Sequence, residues 1–187
     1  MKTKFFGMFW AMLAVVVLTG CDNDDDDIRV SDVPKEVMNT FEAKFPNVSR
    51  AEWENKLGYY VADFWQEGME TQVWIDTKAE WKMTELDLGV NLQLLPEAVR
   101  NAFQSGQYAN WRVDDIDKYE RTDGTFYLIE IETKGEQDRD LFFAPDGSIL
   151  KDEVDRENND VTPSTVLLLG LTNKIPLVKG VGGCPIV

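Results

Sequence analysis

The hydrophobic pattern between residues 32 and 155 changes from helical spacing to strand-like alternation, and it does so twice. In the first unit, apolar residues follow Pro34 at intervals of four positions: Val37, Phe41 and Phe45. This spacing predicts an amphipathic helix. Proline is favoured in the first turn of a helix, and Asp32 stands before it as a candidate cap.

A second helix is predicted 62 positions later, where Val33-Pro34 returns as Leu95-Pro96 and Phe41 returns as Phe103. Helical spacing again follows, through Val99, Ala102 and Phe103. Pro46 and Gly106 are expected to end the two helices.

Four short runs with strand-like composition follow each predicted helix. In the first unit they lie near 50–56, 59–66, 69–76 and 79–86. In the second they lie near 113–121, 125–133, 138–144 and 147–154, and Pro145-Asp146-Gly147 is a tight-turn signal before the last run. The pattern predicts an α+β fold of two tandem repeats, 32–88 and 94–155, each with a helical segment packed on a four-stranded antiparallel sheet.

Comparison of the two units separates predicted core from predicted surface. In the second strand of each unit, apolar residues recur at alternate positions and should face the helix: Tyr60, Ala62 and Phe64 in one, Tyr127, Ile129 and Ile131 in the other. Trp53 and Trp81 correspond to isoleucines, so they too are predicted to lie in the core.

The intervening positions point to a candidate binding face. Asp63 and Trp65 correspond to Glu130 and Glu132, and a position that accepts glutamate is expected to face water because burying an unpaired carboxylate is costly. Trp74 and its counterpart Phe142 alternate with core positions of the third strands. The candidate ligand contacts are therefore Trp65, Trp74, Phe142, Asp63, Glu130 and Glu132. Exposed aromatic residues rimmed by acids are typical of partner or sugar sites. The alternative is that these aromatics are core and are covered by the other unit or by the C-terminal tail.

The paired Val-Pro and Leu-Pro helix starts, the aromatic third strands around Trp74 and Phe142, and the Asp-Gly turn resemble the PepSY-like, β-lactamase-inhibitor-like domain proteins of bacterial envelopes. The resemblance covers about 32–155. It implies a twisted four-stranded sheet per unit, with the helical segment on one face. It also implies a non-enzymatic protein that binds or restrains another protein, by analogy with a tandem inhibitor that clamps a hydrolase.

Charge and composition narrow the function classes further. The chain has 19 Lys and Arg against 34 Asp and Glu, a formal charge of -15, and it has no histidine. A negative field of this size excludes nucleic acid as a natural partner. Without histidine, triads that use it as a base and the usual zinc sites are excluded. No carboxylate pair stands out as a glycosidase pair, so we expect no enzyme activity, no cofactor and no metal.

Residues 1–20 are typical of a secretory signal, with Lys2 and Lys4 before an apolar stretch from Phe5 to Leu18. The sequence Leu18-Thr19-Gly20-Cys21 resembles the lipobox of bacterial lipoproteins. The resemblance implies that Cys21 is the lipid attachment site and anchors the protein to the membrane. An ordinary signal peptide with a chance cysteine is the alternative.

Residues 21–31 are interpreted as an acidic tether, because five aspartates between Asp22 and Asp27 repel one another. An EF-hand is excluded here, since the sixth position is Asp27 and the twelfth is Val33. The acidic run resembles the export signal of surface lipoproteins in some Gram-negative gut and oral bacteria. The expected location is the outer membrane, on the periplasmic face or at the cell surface, with the surface favoured.

Residues 156–187 are a linker and an apolar, glycine-containing tail without a predicted structure. From 161 to 187 there are two lysines and no acid, against the trend of the rest of the chain. Cys184 is the single cysteine left if Cys21 carries lipid, so no intrachain disulfide is expected.

Two functions from different classes fit these observations. The first is a lipid-anchored, non-enzymatic module that binds an envelope or extracellular protein. The second is a surface lipoprotein that binds carbohydrate, because sugar rings stack on flat exposed tryptophans.

Overall fold

A computed structural model describes residues 27–156 and 161–165. Two α-helices are present in these ranges, α1 (Lys35–Lys44) and α2 (Glu97–Ser105), with short 3-10 helices at Val30–Asp32 and Leu92–Leu94. The strands are β1 (Asp27–Ile28), β2 (Glu52–Lys56), β3 (Tyr59–Gln66), β4 (Met69–Asp76), β5 (Trp81–Asp87), β6 (Arg112–Arg121), β7 (Gly124–Glu132), β8 (Arg139–Phe143) and β9 (Ile149–Val154).

All nine strands form one antiparallel sheet in sequence order, so the prediction of two separate four-stranded sheets is wrong. The two parts join where β5 pairs with β6, with Glu85 opposite Tyr119 and Asp87 opposite Asp117. This pairing has a physical reason, because two four-stranded sheets would expose two more edges with unpaired backbone groups. The residues between β5 and β6 contain α2, so the pairing is not visible in any local pattern.

Both helices pack on the same side of this sheet. Against α1 lies a cluster that contains Val37, Phe41, Trp53 and Phe64. Against α2 lies a cluster built around Val99 and Phe103, together with Ile129, Ile131, Leu141 and Phe143. The predicted helix-facing residues of β3 and β7 are therefore confirmed, and Trp53 is buried as expected whereas Trp81 is half-buried beneath the Lys44 ammonium.

The turn that Pro145-Asp146-Gly147 predicted is present and fixes α2 on the sheet. The Gly147 N–H donates to Ala144 O at 2.9 Å, and the backbone adopts a φ of 84° there. A Cβ at this glycine would lie 2.5 Å from the carbonyl oxygen of Ala98 in α2. Glycine is thus required both by the turn and by the close approach of the helix.

The start of the fold differs from the expectation in two details. Asp32 does not cap α1, because it ends a 3-10 helix and Pro34 occupies the cap position. Asp27 and Ile28, inside the segment interpreted as a tether, pair with Glu54 and Trp53 as β1.

In the described ranges, no helix is long and apolar enough to cross a membrane. The predicted signal peptide, Cys21 and the tail from 166 onwards lie outside the described residues.

Candidate functional site

The sheet side opposite the two helices is the candidate site, and we call it the helix-free face. Strand alternation assigns residues to it, since Val61, Asp63 and Trp65 alternate with Ala62 and Phe64 of the helix-facing core. The predicted residues Trp74, Glu130, Glu132 and Phe142 also lie on this face.

One part of the helix-free face, here the aromatic half, is a compact apolar cluster: Val61, Trp74, Met83, Tyr119, Phe126, Leu128 and Phe142. The Tyr119 and Phe126 rings stack with centroids 4.7 Å apart and an interplanar angle of 9°. Tyr59 meets Trp74 edge-on at 5.8 Å. The cluster is a second core of the protein, built without a helix.

The remaining part, here the acidic half, carries carboxylates from seven strands: Asp63, Glu70, Glu85, Asp87, Asp115, Asp117, Glu130, Asp140 and Glu153. Asp117 and Asp140 are buried, and the others are half-buried. Four of them lie directly side by side on adjacent strands, since Asp115 pairs with Glu130, Glu130 with Asp140, and Asp140 with Glu153. Like charges in directly opposed positions destabilise a sheet. Lys151 forms an ion pair with Glu153 at 2.6 Å, which offsets part of this repulsion within the protein.

Three carboxylates of the acidic half could share a cation. One oxygen each from Asp87, Asp115 and Asp117 lies within 4.8 Å of the others. Oxygen ligands of this kind suit Ca²⁺ or Mg²⁺. Acidic groups commonly cluster without an ion, and no further feature of the described residues points to one here.

Burial and, to a smaller extent, neighbouring charges raise the pKa of two of these residues. Burial raises the pKa of Glu70, and the neighbouring charges of Asp63, Asp87 and Asp115 raise it further. Burial also raises the pKa of Asp63, and Glu52 adds to the effect, while a hydrogen bond from Gln72 Nε2 at 3.1 Å opposes it. Asp63 and Glu70 therefore bind protons more readily than ordinary surface carboxylates do.

Tyr119 joins the two halves. Its ring belongs to the aromatic cluster, and its hydroxyl donates to Glu85 Oε1 at 3.1 Å. Burial raises the pKa of Tyr119 well above its ordinary value, and the charge of Glu85 adds to this effect. The phenol is therefore a donor over the physiological pH range.

The three predicted aromatic contacts have different surroundings. Trp65 is 69% exposed, as expected, and lies opposite Glu70 at the rim of the acidic half. Trp74 and Phe142 lie on the predicted face but are only 2% and 4% exposed. The expectation that Trp74 and Phe142 are exposed contacts is therefore wrong, and the alternative that they are core applies, because these two residues belong to the aromatic half, on which Val161 packs.

The predicted acids are spread over the acidic half and its margin. Asp63 lies near Trp65 on β3, and Glu130 lies in the row of four carboxylates. Glu132 lies beyond that row and forms an ion pair with Arg112, with 2.5 Å between the charged atoms. Asp63 and Glu130 thus contribute to the acidic half, whereas Glu132 is paired at its margin.

Sequence reasoning missed most of the acidic half, above all Glu70, Glu85, Asp115 and Asp140. A signal was present in the alternation of β6, where Asp115, Asp117 and Tyr119 share one side of the strand. The opposition of these acids to acids on other strands depends on the sheet register, which only the structure supplies.

Comparison with known proteins places the fold and this face in context. Residues 58–151 match the family described as "Putative beta-lactamase-inhibitor-like, PepSY-like". A solved structure of a DUF2874 family protein from Bacteroides ovatus is 34% identical with a TM-score of 0.67, covering 72% of this chain and 96% of that one. No curated protein matches the chain.

Two further solved structures are similar. A BLIP-like protein from Bacteroides fragilis is 32% identical with a TM-score of 0.63, and the match covers 69% of this chain and 91% of that protein. A protein from Bacteroides eggerthii named among "putative periplasmic proteins" is 27% identical with a TM-score of 0.61, covering 65% and 88% respectively.

Proposed function

The chain belongs to the PepSY-like, β-lactamase-inhibitor-like family, and on that premise we propose that it is a non-enzymatic module of the cell envelope that binds another protein. The binding surface is the acidic half of the helix-free face, with Trp65 as its exposed anchor. The partner presents a basic surface or segment. The observation that carries the proposal is the set of carboxylates on the helix-free face, including the row from Asp115 to Glu153, on the same side of the sheet as the exposed Trp65.

Charge complementarity supports a basic partner. Lysine or arginine side chains of a partner that approach the half-buried carboxylates of this surface, such as Glu70 and Glu130, would add favourable charge pairs across the interface. Trp65 supplies apolar contact area at the edge of the same surface, as aromatic anchors do at protein interfaces. The names of the relatives support the binding class, because one of them is called BLIP-like.

Carbohydrate binding has less support. A sugar platform built from two tryptophans needs both rings accessible, and Trp74 is buried while Trp65 is not. Glycan binding is therefore retained only as a possible result of the test below.

The experiment is capture of envelope proteins on the immobilised chain, with two variants and two matched controls. Trp65→Ala and Glu130→Lys are expected to lose the captured protein. Leu94→Ala removes a smaller apolar side chain that is 50% exposed, and Glu42→Lys reverses an exposed charge on α1; both should retain it. The captured complex should weaken as ionic strength rises, since exposed charge pairs are screened.

Equal binding by all four variants would contradict the proposed surface. Binding that survives high salt but disappears with soluble glycans would favour the carbohydrate function instead.

Anchoring through Cys21 belongs to the same proposal. The wild-type chain should incorporate labelled palmitate and fractionate with membranes, because two or more acyl chains give stable anchoring. Cys21→Ser should abolish the label and shift the protein out of the membrane fraction, whereas Cys184→Ser should change neither. Membrane retention of an unlabelled, processed Cys21→Ser protein would contradict the anchor.

Surface display is tested separately. Neutralising Asp22 to Asp27 should leave the label in place and reduce protease accessibility on intact cells.

A further inference from the structure

The turns at the two ends of β3 have the same backbone geometry but opposite chemistry. Leu57-Gly58 joins β2 to β3 and Glu67-Gly68 joins β3 to β4, and each is a two-residue turn. The φ angles are 53° and 82° in the first turn and 55° and 82° in the second. Two consecutive positive φ angles are those of a type I′ turn, whose first position favours asparagine, aspartate or glycine.

Leucine is an unfavourable residue at position 57 for two independent reasons. The left-handed conformation brings Cβ close to the following carbonyl oxygen, and leucine has no polar atom with which to compensate. The side chain of Leu57 is also 71% exposed, the largest exposed fraction among the large apolar residues in the described part of the chain. An asparagine at this position would suit the backbone and would remove apolar surface from water.

No packing within the described residues accounts for Leu57. It belongs to none of the three apolar clusters found there. The corresponding turn in the second part of the fold, between β6 and β7, consists of Thr122-Asp123. Leucine, isoleucine, valine, methionine and aromatic residues are also missing from the other hairpin turns, which are 67–68, 77–80, 133–138 and 144–148.

Position 57 therefore departs from a rule that the other hairpin turns of the sheet follow. Both the backbone conformation and the exposure argue for a polar residue, and the chain has its most exposed leucine there. Local departures of this kind concentrate at functional sites, where the cost in the free protein is accepted for a contact made elsewhere.

The distance from Leu57 to Trp65 suits one interface. The two residues lie at opposite ends of β3, eight residue steps apart, which is about 26 Å at the usual rise of about 3.3 Å per residue. A protein interface of standard size buries about 800 Å² on each partner, a patch about 30 Å across. One partner that lies along β3 can thus contact both side chains.

We propose that Leu57 is a second apolar anchor for the protein partner and inserts into an apolar pocket of that partner, while Trp65 and the acidic half make the contact at the other end of β3. The inference rests on the proposed function, because it concerns the same partner. It adds a chemical requirement, since the partner needs an apolar pocket about 26 Å from its contact with Trp65.

The first test is photo-crosslinking in intact cells that express the full chain. Benzoylphenylalanine in place of Leu57 should crosslink to one defined protein, and benzoylphenylalanine in place of Trp65 should crosslink to the same one. The control position is Leu94, which is the same residue type and is 50% exposed. It should not form this adduct.

The outcomes separate the two proposals. An adduct at position 65 without one at position 57 would overturn the second anchor and leave the proposed binding surface in place. Different proteins at the two positions, or the same adduct at position 94, would overturn the second anchor as well. No adduct at either position would contradict both proposals.

The second test compares stability with binding. Leu57→Asn and Glu67→Asn place asparagine in the same backbone conformation, so both should raise the urea midpoint by similar amounts. Leu57→Asn should also weaken binding of the crosslinked protein by about tenfold or more, the scale of an anchor residue. Leu94→Ala should leave this binding unchanged. A lower urea midpoint for Leu57→Asn would show that the leucine stabilises the fold, and unchanged binding would show that the partner does not contact it; either result would overturn the proposal.

Discussion

The two halves of the helix-free face are built from largely the same strands, but one consists of packed apolar side chains and the other of neighbouring like charges. The aromatic half satisfies its residues internally, with Tyr119 stacked on Phe126 and the chain returning at Val161 to pack on it. The acidic half places carboxylates from Asp115 to Glu153 side by side, where like charges repel, and the ion pair between Lys151 and Glu153 offsets part of that repulsion. One half contributes to folding, and the other is the surface that we propose for the partner.

The difference explains why the two tryptophans of this face are not equivalent. Trp74 contacts Tyr59 and lies beneath the ammonium of Lys56, 5.7 Å from its ring, so it is a structural residue. Trp65 lies on the same side of the sheet, close to the turn between β3 and β4, and is 69% exposed. A large exposed apolar side chain beside an acidic surface is the pattern expected of a binding anchor.

The largest expected effect is a difference in stability between a variant of the aromatic half and a variant of the acidic half. Phe126→Ala removes a fully buried ring and is expected to lower the free energy of unfolding by about 3–5 kcal/mol. Trp65→Ala should change it by less than about 0.5 kcal/mol, since the ring is mostly in water. Urea denaturation of both variants measures the contrast, and a large loss of stability in Trp65→Ala would show that the acidic half depends on this ring for folding.

A smaller effect is expected at the junction of the halves. Tyr119→Phe keeps the ring that stacks on Phe126 but removes the hydrogen bond to Glu85. Bonds to charged groups contribute about 1.5–3 kcal/mol, so the variant should be less stable by this amount at neutral pH. The double variant Tyr119→Phe, Glu85→Gln should be less destabilised than the sum of its single changes, as urea denaturation of all four proteins can show. Strict additivity would mean that the hydroxyl and Glu85 are not coupled.

The elements of the fold were predictable from the sequence because their signals are local. Alternation and the turn glycines Gly58, Gly68 and Gly124 locate most strand ends within a residue or two. The joining of β5 to β6 was not predictable, since it is set by backbone groups far apart in the chain and carries no residue pattern. The prediction of two sheets failed for this reason.

The candidate site was likewise predictable only where the signal in the sequence is local. Correspondence with Glu132 predicted that Trp65 faces water, and this exposure is confirmed. Trp74 was assigned to the correct face by alternation, but its burial depends on a segment near Val161 whose composition does not reveal where it packs. Periodicity therefore identifies the face of a residue, whereas exposure depends on distant parts of the chain.

The smallest effect tests the electrostatic cost of the acidic half. Burial and neighbouring carboxylates raise the pKa of Glu70, so the folded state binds its proton more tightly than the unfolded state does. The contribution of Glu70 to the free energy of unfolding should therefore rise as the pH falls from neutral through this raised pKa, and the gain should be complete below the ordinary value near 4.5. Glu70→Gln should be more stable than the wild type at pH 7 by about 0.2–1 kcal/mol, and the two should converge near pH 4.

Asp146→Asn is the control of opposite sign. Hydrogen bonds from the Ser148 hydroxyl and backbone N–H lower the pKa of Asp146, so its contribution stabilises at pH 7 and is lost as the pH falls below 3.8. Thermal unfolding of the three proteins across this pH range measures both signs. A Glu70→Gln protein less stable than the wild type at pH 7 would mean that Glu70 has a stabilising partner and that the acidic half is not under electrostatic strain.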